Sequence, residues 1–452
     1  MIRFTEKISG KKLGLFLLPL MLSAVFQQIY EPVSAAVAGR YLNEEAVAVI
    51  GACSGWSGVV ESLFVHMTTG FSICINRQAG LKDSGKMRSV FQTAVKITLF
   101  LTFGSMLLAL FTEPFMGLAN IPEWMQPEAR RYLVWLFLGG GFWGIQNLLA
   151  CVIQGKGEST FPSVVMIASA VAQTAMSVVL LGMLGVGVEG VSLAVFISQG
   201  ISSLLLFLYL CLRDWGRELI CPLAGGTPGI WRDILESGTA KSMMGIMTNI
   251  GYMAVQRCVN LYSVDVIAGY TYAMSLMNLF MQPLCAYAIA ANIMSAQNVG
   301  SGSPEMAFYY NRKMTVHSLY WCAGYVLLAP VWVPSLMRLL AGPGVSAGLL
   351  QAGNSWLYVA VASYPFLVVL MIGRNALQGM GYYKVLLLLG FLEMAARFFS
   401  AWVLVPLMGY TAVCLNTALV WGLPGLTALW LYRKRMKEAW RDAYGEERVF
   451  GR

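Results

Sequence analysis

The sequence predicts an all-α integral membrane protein with twelve transmembrane helices in two pseudo-symmetric six-helix lobes around a central cleft. Composition, a series of long apolar runs and an internal repeat together predict it. Of 452 residues, 58% are hydrophobic and only 12% charged, and mean hydropathy is +0.65. A soluble domain carries about 25% charged residues. The formal net charge of +9 does not point to nucleic acid, because the Lys and Arg residues sit in short loops and the tail and form no basic stripe. Nine cysteines are scattered without a CxxC pair, most of them inside apolar runs. They read as small buried hydrophobes, with no metal site and no disulfide framework.

A membrane helix needs about 20 mostly apolar residues. The candidates run over 13–38, 46–75, 90–112, 132–153, 163–184, 190–212, 235–261, 267–294, 316–339, 356–377, 385–407 and 411–431. Runs this uniformly apolar lack the alternation of a barrel strand, so helices are the spanning element. The first run lies behind Lys11 and Lys12 like a secretory signal, and Ala36-Val37-Ala38 mimics a cleavage site. The spans that follow it predict an uncleaved first helix. The chain divides into an N-terminal lobe (1–212), a polar linker (213–234), a C-terminal lobe (235–431) and a basic tail (432–452).

Charge placement predicts orientation. Basic residues collect at the N-terminus (Arg3, Lys7, Lys11, Lys12), in alternate loops (Arg77 to Arg88, Lys156, Arg213 to Arg232, Arg312 and Lys313, Arg374 and Lys384) and in the tail. The other loops hold only Arg40, Arg130, Arg131 and Arg338. By the positive-inside rule both termini are cytoplasmic. The repeat has an offset of 220 to 224 residues: Gln154-Gly155-Lys156-Gly157 recurs as Gln378-Gly379-Met380-Gly381, and Gly80 falls opposite Gly300. Six spans is an even number, so the halves are parallel, and such halves enclose a central cavity.

One motif misleads. Gly80 to Lys86 matches GxxxxGK, but Met87 replaces the Mg²⁺-binding Ser/Thr and no strand precedes it. It reads as a turn, which leaves an ion gradient to drive any uphill movement. Three carboxylates, Glu31, Glu61 and Glu393, fall inside spans, where an ionisable group is costly and faces a cavity or a partner. Glu31 lies between Gln27 and Ser34 at i, i+4, i+7 spacing, one polar stripe on helix one. A buried carboxylate holds its proton until a nearby cation drives it off, which is a minimal exchange mechanism. An ordinary polar contact between helices is the alternative for Glu31, and the stronger one for Glu61. Glu393 and Arg397, at i, i+4, read as a structural ion pair. His66 lies off the helical face of Glu61. Lys96, Lys241 and Arg257 lie near helix ends and are expected to snorkel.

Ser169, Gln173 and Ser177 share one face of helix five, and Asn249, Tyr252 and Gln256 share one of helix seven. Such faces either join helices or line water. Met274, Met277 and Met281 form a stripe on helix eight, suited to adaptable apolar surfaces or to packing.

Over nearly its whole length the chain resembles the multidrug and toxic compound extrusion (MATE) transporters. The resemblance rests on Gln27-Gln28-Ile29-Tyr30 with Val37-Ala38-Gly39-Arg40, on Ala296 to Gly302, on Gln378-Gly379-Met380-Gly381, on Gly390 to Glu393 with Arg397, and on Pro406 to Tyr410. It implies twelve helices in two lobes, a V-shaped central cleft, and proton- or sodium-driven export of organic cations and related drugs. The expected protein is a monomer in the cell membrane that exports amphipathic or cationic small molecules without a cofactor. Family members often carry an Asp where this chain has Ser34 and another where it has Ser177, and Gln173 stands in place of an Asn. Glu31, Ser34, Gln173, Ser177 and Glu61 are therefore the cation-coupling candidates, with Glu31 expected to replace the missing helix-one acid. Gln27, Asn249, Tyr252, Gln256, Met274 and Met281 are the substrate-cleft candidates.

A lipid-linked glycan flippase of the same superfamily would need several cations in its cavity, where the sequence offers Arg397 with Glu393 placed to neutralise it. A major-facilitator transporter would carry a GxxxDRxGRR-like loop, which residues 76–88 lack. A membrane enzyme would need converging catalytic residues, but His66 and His317 lie on different helices and there is no HExxH motif.

Overall fold

A computed structural model of the chain describes residues 4–444 except 43, 82, 119–120, 122, 222–228 and 343–344. Of residues 30–36, 38–39, 44–48, 51, 54–55, 118, 264 and 444 it describes the backbone alone. Every element among the described residues is helical. The chain divides into two compact units, Met1–Phe4 with Ile8–Ser242, and Thr5–Lys7 with Met243–Arg452.

The first unit contains α1 (Gly10–Tyr41), α2 (Glu44–Glu61), α3 (Met67–Leu81), α4 (Ser84–Leu108), α5 (Glu113–Leu118), α6 (Gln126–Gly155), α7 (Thr160–Val178), α8 (Glu189–Leu212) and α9 (Asp214–Ile220). The first helix is continuous through the apparent cleavage site. A π turn, Ser62–His66, joins α2 to α3, and another, Val179–Met183, extends α7. Because lipid is as apolar as the helices, small residues and interhelical hydrogen bonds hold a bundle together rather than the hydrophobic effect. On α6 the spacing Gly140-x-x-x-Gly144 meets α2 and its π turn closely: a Cβ at Gly140 would lie 2.7 Å from Val60, and one at Gly144 2.9 Å from Phe64. Trp56 Nε1 donates to the Phe115 carbonyl at 3.0 Å, tying α2 to α5. The GxxxxGK segment starts a helix: Asp83 caps α4, accepting from the Lys86 N–H at 2.9 Å.

The first unit continues past 213–234 into α10 (Ile230–Val259). There the Ser237 hydroxyl donates to the Gly70 carbonyl at 2.7 Å, and a Cβ on Gly70 would stand 2.6 Å from Gly238 Cα. Backbones that close leave no room for any side chain.

The second unit takes α10 from Met243 and adds α11 (Val264–Gly300), α12 (Pro304–Ala341), α13 (Ala347–Ala362), α14 (Tyr364–Gly379), α15 (Tyr383–Phe399), α16 (Val405–Met408) and α17 (Tyr410–Tyr444). A third π turn, Ser400–Leu404, follows α15. The run 356–377 is not one straight helix: α13 and α14 meet at a 49° bend. Pro365 has no N–H for the preceding turn and its ring crowds it, so the helix breaks at Ser363. The last helix runs on to Tyr444 through much of the segment read as a tail, because Arg433 to Tyr444 is rich in good helix formers. Arg435 pairs with Glu438 there at 2.6 Å.

Among the described residues ten helices, or helix pairs in line, are each long and apolar enough to cross a membrane, and the bent pair α13–α14 makes an eleventh. Helix α10, 30 residues long and carrying Asp233 in its first turn and Arg257 in its last, falls short of that measure and occupies the place of the expected span 235–261. The repeat is visible in backbone geometry as well as in sequence. Gly157 and Gly381 both take positive φ, 80° and 91°, and each donates to the Gln three residues before it at 2.9 Å. This left-handed turn ends α6 and α14 alike and favours glycine.

Candidate functional site

Three charged groups of the second unit, Arg374, Glu393 and Arg397, meet at the buried face of α15. Glu393 is 4% exposed and Arg397, one turn later, 2%. The i, i+4 pair exists, with Arg397 Nη1 3.8 Å from Glu393 Oε2. That separation is beyond hydrogen-bond reach. The close partner of Glu393 is Arg374 of α14, whose Nη1 donates to Oε1 at 2.6 Å. Arg374, read from the sequence as a loop residue, lies on a helix, since α14 continues to Gly379, and its side chain is 12% exposed. Charge-assisted bonds of this length are the strong ones, so Glu393 is committed to Arg374 and balances Arg397 only through space.

Arg397 is held by other means. Its guanidinium lies 4.0 Å from the ring centroid of Tyr252 on α10, a cation–π contact worth about 2 kcal/mol when desolvated. Gly251 makes the approach possible, since a Cβ there would stand 2.8 Å from Arg397 Cδ. Among the described residues, Nε and Nη1 of Arg397 have no hydrogen-bond partner, and neither does Oδ1 of Asn416 on α17. Arg397 and Asn416 line a cavity of about 10 Å³ together with Tyr270, Met277, Trp356 and Thr417, with room for roughly one water molecule.

The polar face in the first unit is neutral and paired. Ser169, Gln173 and Ser177 are buried on α7. Gln173 Oε1 accepts from the Ser198 hydroxyl of α8 at 3.3 Å, Ser169 Oγ donates to the Ser198 carbonyl at 3.5 Å, and Ser177 Oγ donates to the Gln173 carbonyl at 3.0 Å. This stripe joins helices. The side chains of Glu31 and Ser34 lie outside the described residues. Gln27, exposed on α1, donates to the Ser23 carbonyl at 3.1 Å and lies 3.6 Å from Met166 Sδ. Glu61 is half-buried where α2 enters its π turn, and His66 closes that turn. A π turn advances fewer degrees per residue than an α-helix, so the two lie closer to one face than α periodicity predicts.

Of the remaining cleft candidates, Asn249 is exposed, while Tyr252, Gln256, Met274 and Met281 are half-buried. Tyr252 belongs to the Arg397 site, as does the buried Met277 of the methionine stripe. Gln256 donates to Asn260 Oδ1 at 2.8 Å, which directs it along its own helix. Lys241 is buried rather than snorkelling, whereas Lys96 and Arg257 are exposed. No group of three or more metal-ligating side chains occurs among the described residues. Sequence reasoning missed Arg374, whose only signal is a charge inside an apolar run, and Asn416-Thr417, a polar step within the last span. It also missed an open aromatic groove of about 440 Å³ between α11 and α12, lined by Tyr287, His317, Trp321 and Tyr325 among others, where Trp321 Nε1 donates to the Tyr287 hydroxyl at 3.0 Å.

The same two-part organisation appears in known proteins. The family model MatE matches twice, over residues 19–179 and 242–403, one match for each half of the repeat. "Probable multidrug resistance protein YpnP" of Bacillus subtilis (strain 168) is 24% identical over 306 residues, 67% of this chain and 68% of that protein. "Probable multidrug resistance protein YoeA" of the same organism is 26% identical over 310 residues, 64% of this chain and 65% of that protein. The chain therefore matches about two thirds of the length of each. Among solved structures, one described as the outward-facing conformation of a multidrug resistance MATE family transporter of the MOP superfamily superposes with TM-score 0.89 at 17% identity, covering 96% of this chain and 98% of that one. A MOP superfamily transporter from Pyrococcus furiosus Vc1 (DSM3638), described as having a binding pocket of reverse polarity, gives 0.84 at 16% identity, covering 96% and 99%. At these identities the superpositions establish the fold.

Proposed function

The chain belongs to the MatE family of membrane transporters, and on that premise we propose that it is a secondary active exporter of amphipathic or cationic small molecules, working by alternating access as a proton- or sodium-coupled antiporter. It is a transporter and not an enzyme. The observation that carries the reading is the double family match, one in each half, because alternating access needs two comparable bodies that can move about a site between them. The names of the two Bacillus subtilis relatives, both probable multidrug resistance proteins, support drug-like small molecules as the cargo. We place the protein in the cell membrane as a monomer, with both termini cytoplasmic on the distribution of Lys and Arg. A lipid-linked glycan is the less favoured cargo. It would need several free cations, and Glu393 already engages the guanidinium of Arg374.

Coupling is assigned to the first unit. Glu31 is one turn from Ser34, where the resembling transporters carry an acid, and Glu61 is a second acid of the same unit. In the second unit Glu393 is committed to an arginine, which leaves it poorly placed to exchange a proton for a sodium ion.

Proteoliposomes with an imposed pH or sodium gradient, tested against a panel of cationic dyes, decide the matter. Uphill dye movement is expected with one of the two gradients, and Glu31→Gln and Glu31→Ala should each reduce it at least tenfold. Unchanged uphill movement in both variants removes Glu31 from the mechanism, and no gradient-driven movement of any dye by folded wild-type protein overturns the reading.

A further inference from the structure

Among the described residues Arg397 has one ion-pair partner within 4 Å, Glu393, and shares it with Arg374. Two guanidiniums, those of Arg374 and Arg397, share one carboxylate, and the short hydrogen bond goes to Arg374. Arg397 Nε and Nη1 are buried and have no hydrogen-bond partner among the described residues, and Arg397 lines a small cavity. A guanidinium has five N–H donors and no acceptor, and a charge inside a span is costly unless paired. The cation–π contact with Tyr252 covers one face of the group but leaves its edge open. A water molecule there would satisfy a hydrogen bond and leave the charge uncompensated.

We propose that the cavity beside Arg397 is a binding site for one monovalent anion, either a free halide or the carboxylate end of a carried molecule. Its charge requirement is a single negative unit, set by two arginines against one glutamate. Its donors are Nε and Nη1 of Arg397. Asn416 and Thr417 bring a side-chain amide and a hydroxyl to the same cavity. The Asn416 amide, whose Oδ1 has no partner as placed, can turn to present its NH₂ group. Trp356 and Tyr270 wall the cavity and confine it to something close to one acceptor atom in size. The π turn Ser400–Leu404 begins immediately downstream of the segment that presents Arg397, and π bulges recur at functional sites. This inference does not rest on the coupling reading, because an equilibrium site can be measured with no gradient.

Purified full-length protein in detergent provides the test. At constant ionic strength, sodium gluconate is replaced stepwise by sodium chloride or sodium acetate while the melting temperature is followed. A ligand that binds the folded state raises Tm saturably, and a rise of a few degrees is expected with at least one of the two anions. Asn416→Asp places a carboxylate in the cavity and should abolish the response while melting, in gluconate alone, as high as anion-saturated wild type. Equilibrium dialysis of radiolabelled chloride and acetate against wild-type protein needs no variant and should find one bound anion per chain. Saturation by chloride alone assigns a free ion, and saturation by acetate assigns a carboxylate group. Identical melting in all three salts with no bound label overturns the proposal, as does an Asn416→Asp protein that folds and responds like wild type.

Discussion

The π turns Val179–Met183 and Ser400–Leu404 occupy equivalent places in the two halves, within the 220 to 224 residue repeat, yet the helices that lead into them carry opposite chemistry. Counting back from each turn, Glu393 and Arg397 fall opposite Ala172 and Met176. In the first unit the polar work passes to the neighbouring positions Gln173 and Ser177, which are neutral and bonded to α8 or to their own backbone. In the second it is done by a buried triad of charges. Duplication has kept the backbone device, the π turn and the left-handed glycine at Gly157 and Gly381, and let the side-chain electrostatics diverge. A backbone feature is fixed by helix geometry that both units need. A buried charge is held only where several helices supply partners for it.

The contrast can be broken most sharply at Glu393. Glu393→Gln keeps the shape but leaves two guanidiniums without a counter-charge, and breaking a buried pair from one side costs on the order of 3–5 kcal/mol. A melt in detergent should show a loss of that size. Adding Arg374→Met should recover most of it, since an apolar pair of similar volume is near neutral. A single-variant loss below about 1 kcal/mol would mean that the triad is not the electrostatic centre of its unit.

Gly251 gives the next effect. Gly251→Val places methyl groups where Arg397 now runs, with even the first added carbon 2.8 Å from Cδ. Overpacking of this kind costs about 1–3 kcal/mol, and the displaced guanidinium should lose its stacking on Tyr252, read as a change in near-ultraviolet circular dichroism. In the first unit, Gln173→Leu should cost less than about 1 kcal/mol, because hydrogen bonds between membrane helices average about 0.6 kcal/mol. Parity between Gln173→Leu and Glu393→Gln in the same melt would erase the distinction drawn between the units.

Much of this contrast is legible in the sequence, and what is not has definite causes. Apolar length alone marks the spans, because lipid imposes it. The Gln-Gly-x-Gly repeat marks two turns, because positive φ selects glycine. The i, i+4 spacing of Glu393 and Arg397 gives their shared face. It cannot give the preference of Glu393 for Arg374, which depends on how α14 lies against α15. The π turns have no composition of their own, so a fixed 3.6-residue period sets His66 apart from Glu61 where the helix brings their faces closer. The bend at Ser363 has a signal in Pro365, but an apolar run that continues through it reads as one helix. The amide and hydroxyl of Asn416-Thr417 gain meaning only where packing places them at the same cavity as Arg397.

The smallest expected effect lies at another pair of repeat positions, the N-caps of α4 and α12. Asp83 caps α4 through its bond to the Lys86 N–H, while Ser303, its counterpart before α12, makes no side-chain cap bond. The Lys86 backbone N–H, helped by the Lys86 ammonium, holds the Asp83 carboxyl below its ordinary value of 3.8. A carboxylate whose pKa is lowered on folding stabilises the fold above its unfolded pKa, and this contribution fades as pH falls through the folded value. The window therefore opens just under about pH 4 and extends downward. Asp83 is solvent-exposed, so the effect should be small and screened by salt. Asp83→Asn keeps a capping oxygen and removes the charge, so it should flatten the low-pH slope of Tm slightly and leave neutral-pH stability almost unchanged. Ser303→Ala should change neither. If instead Ser303→Ala lowers Tm more than Asp83→Asn does, the α12 cap is the stronger of the two and the asymmetry between the units runs the other way at their helix starts.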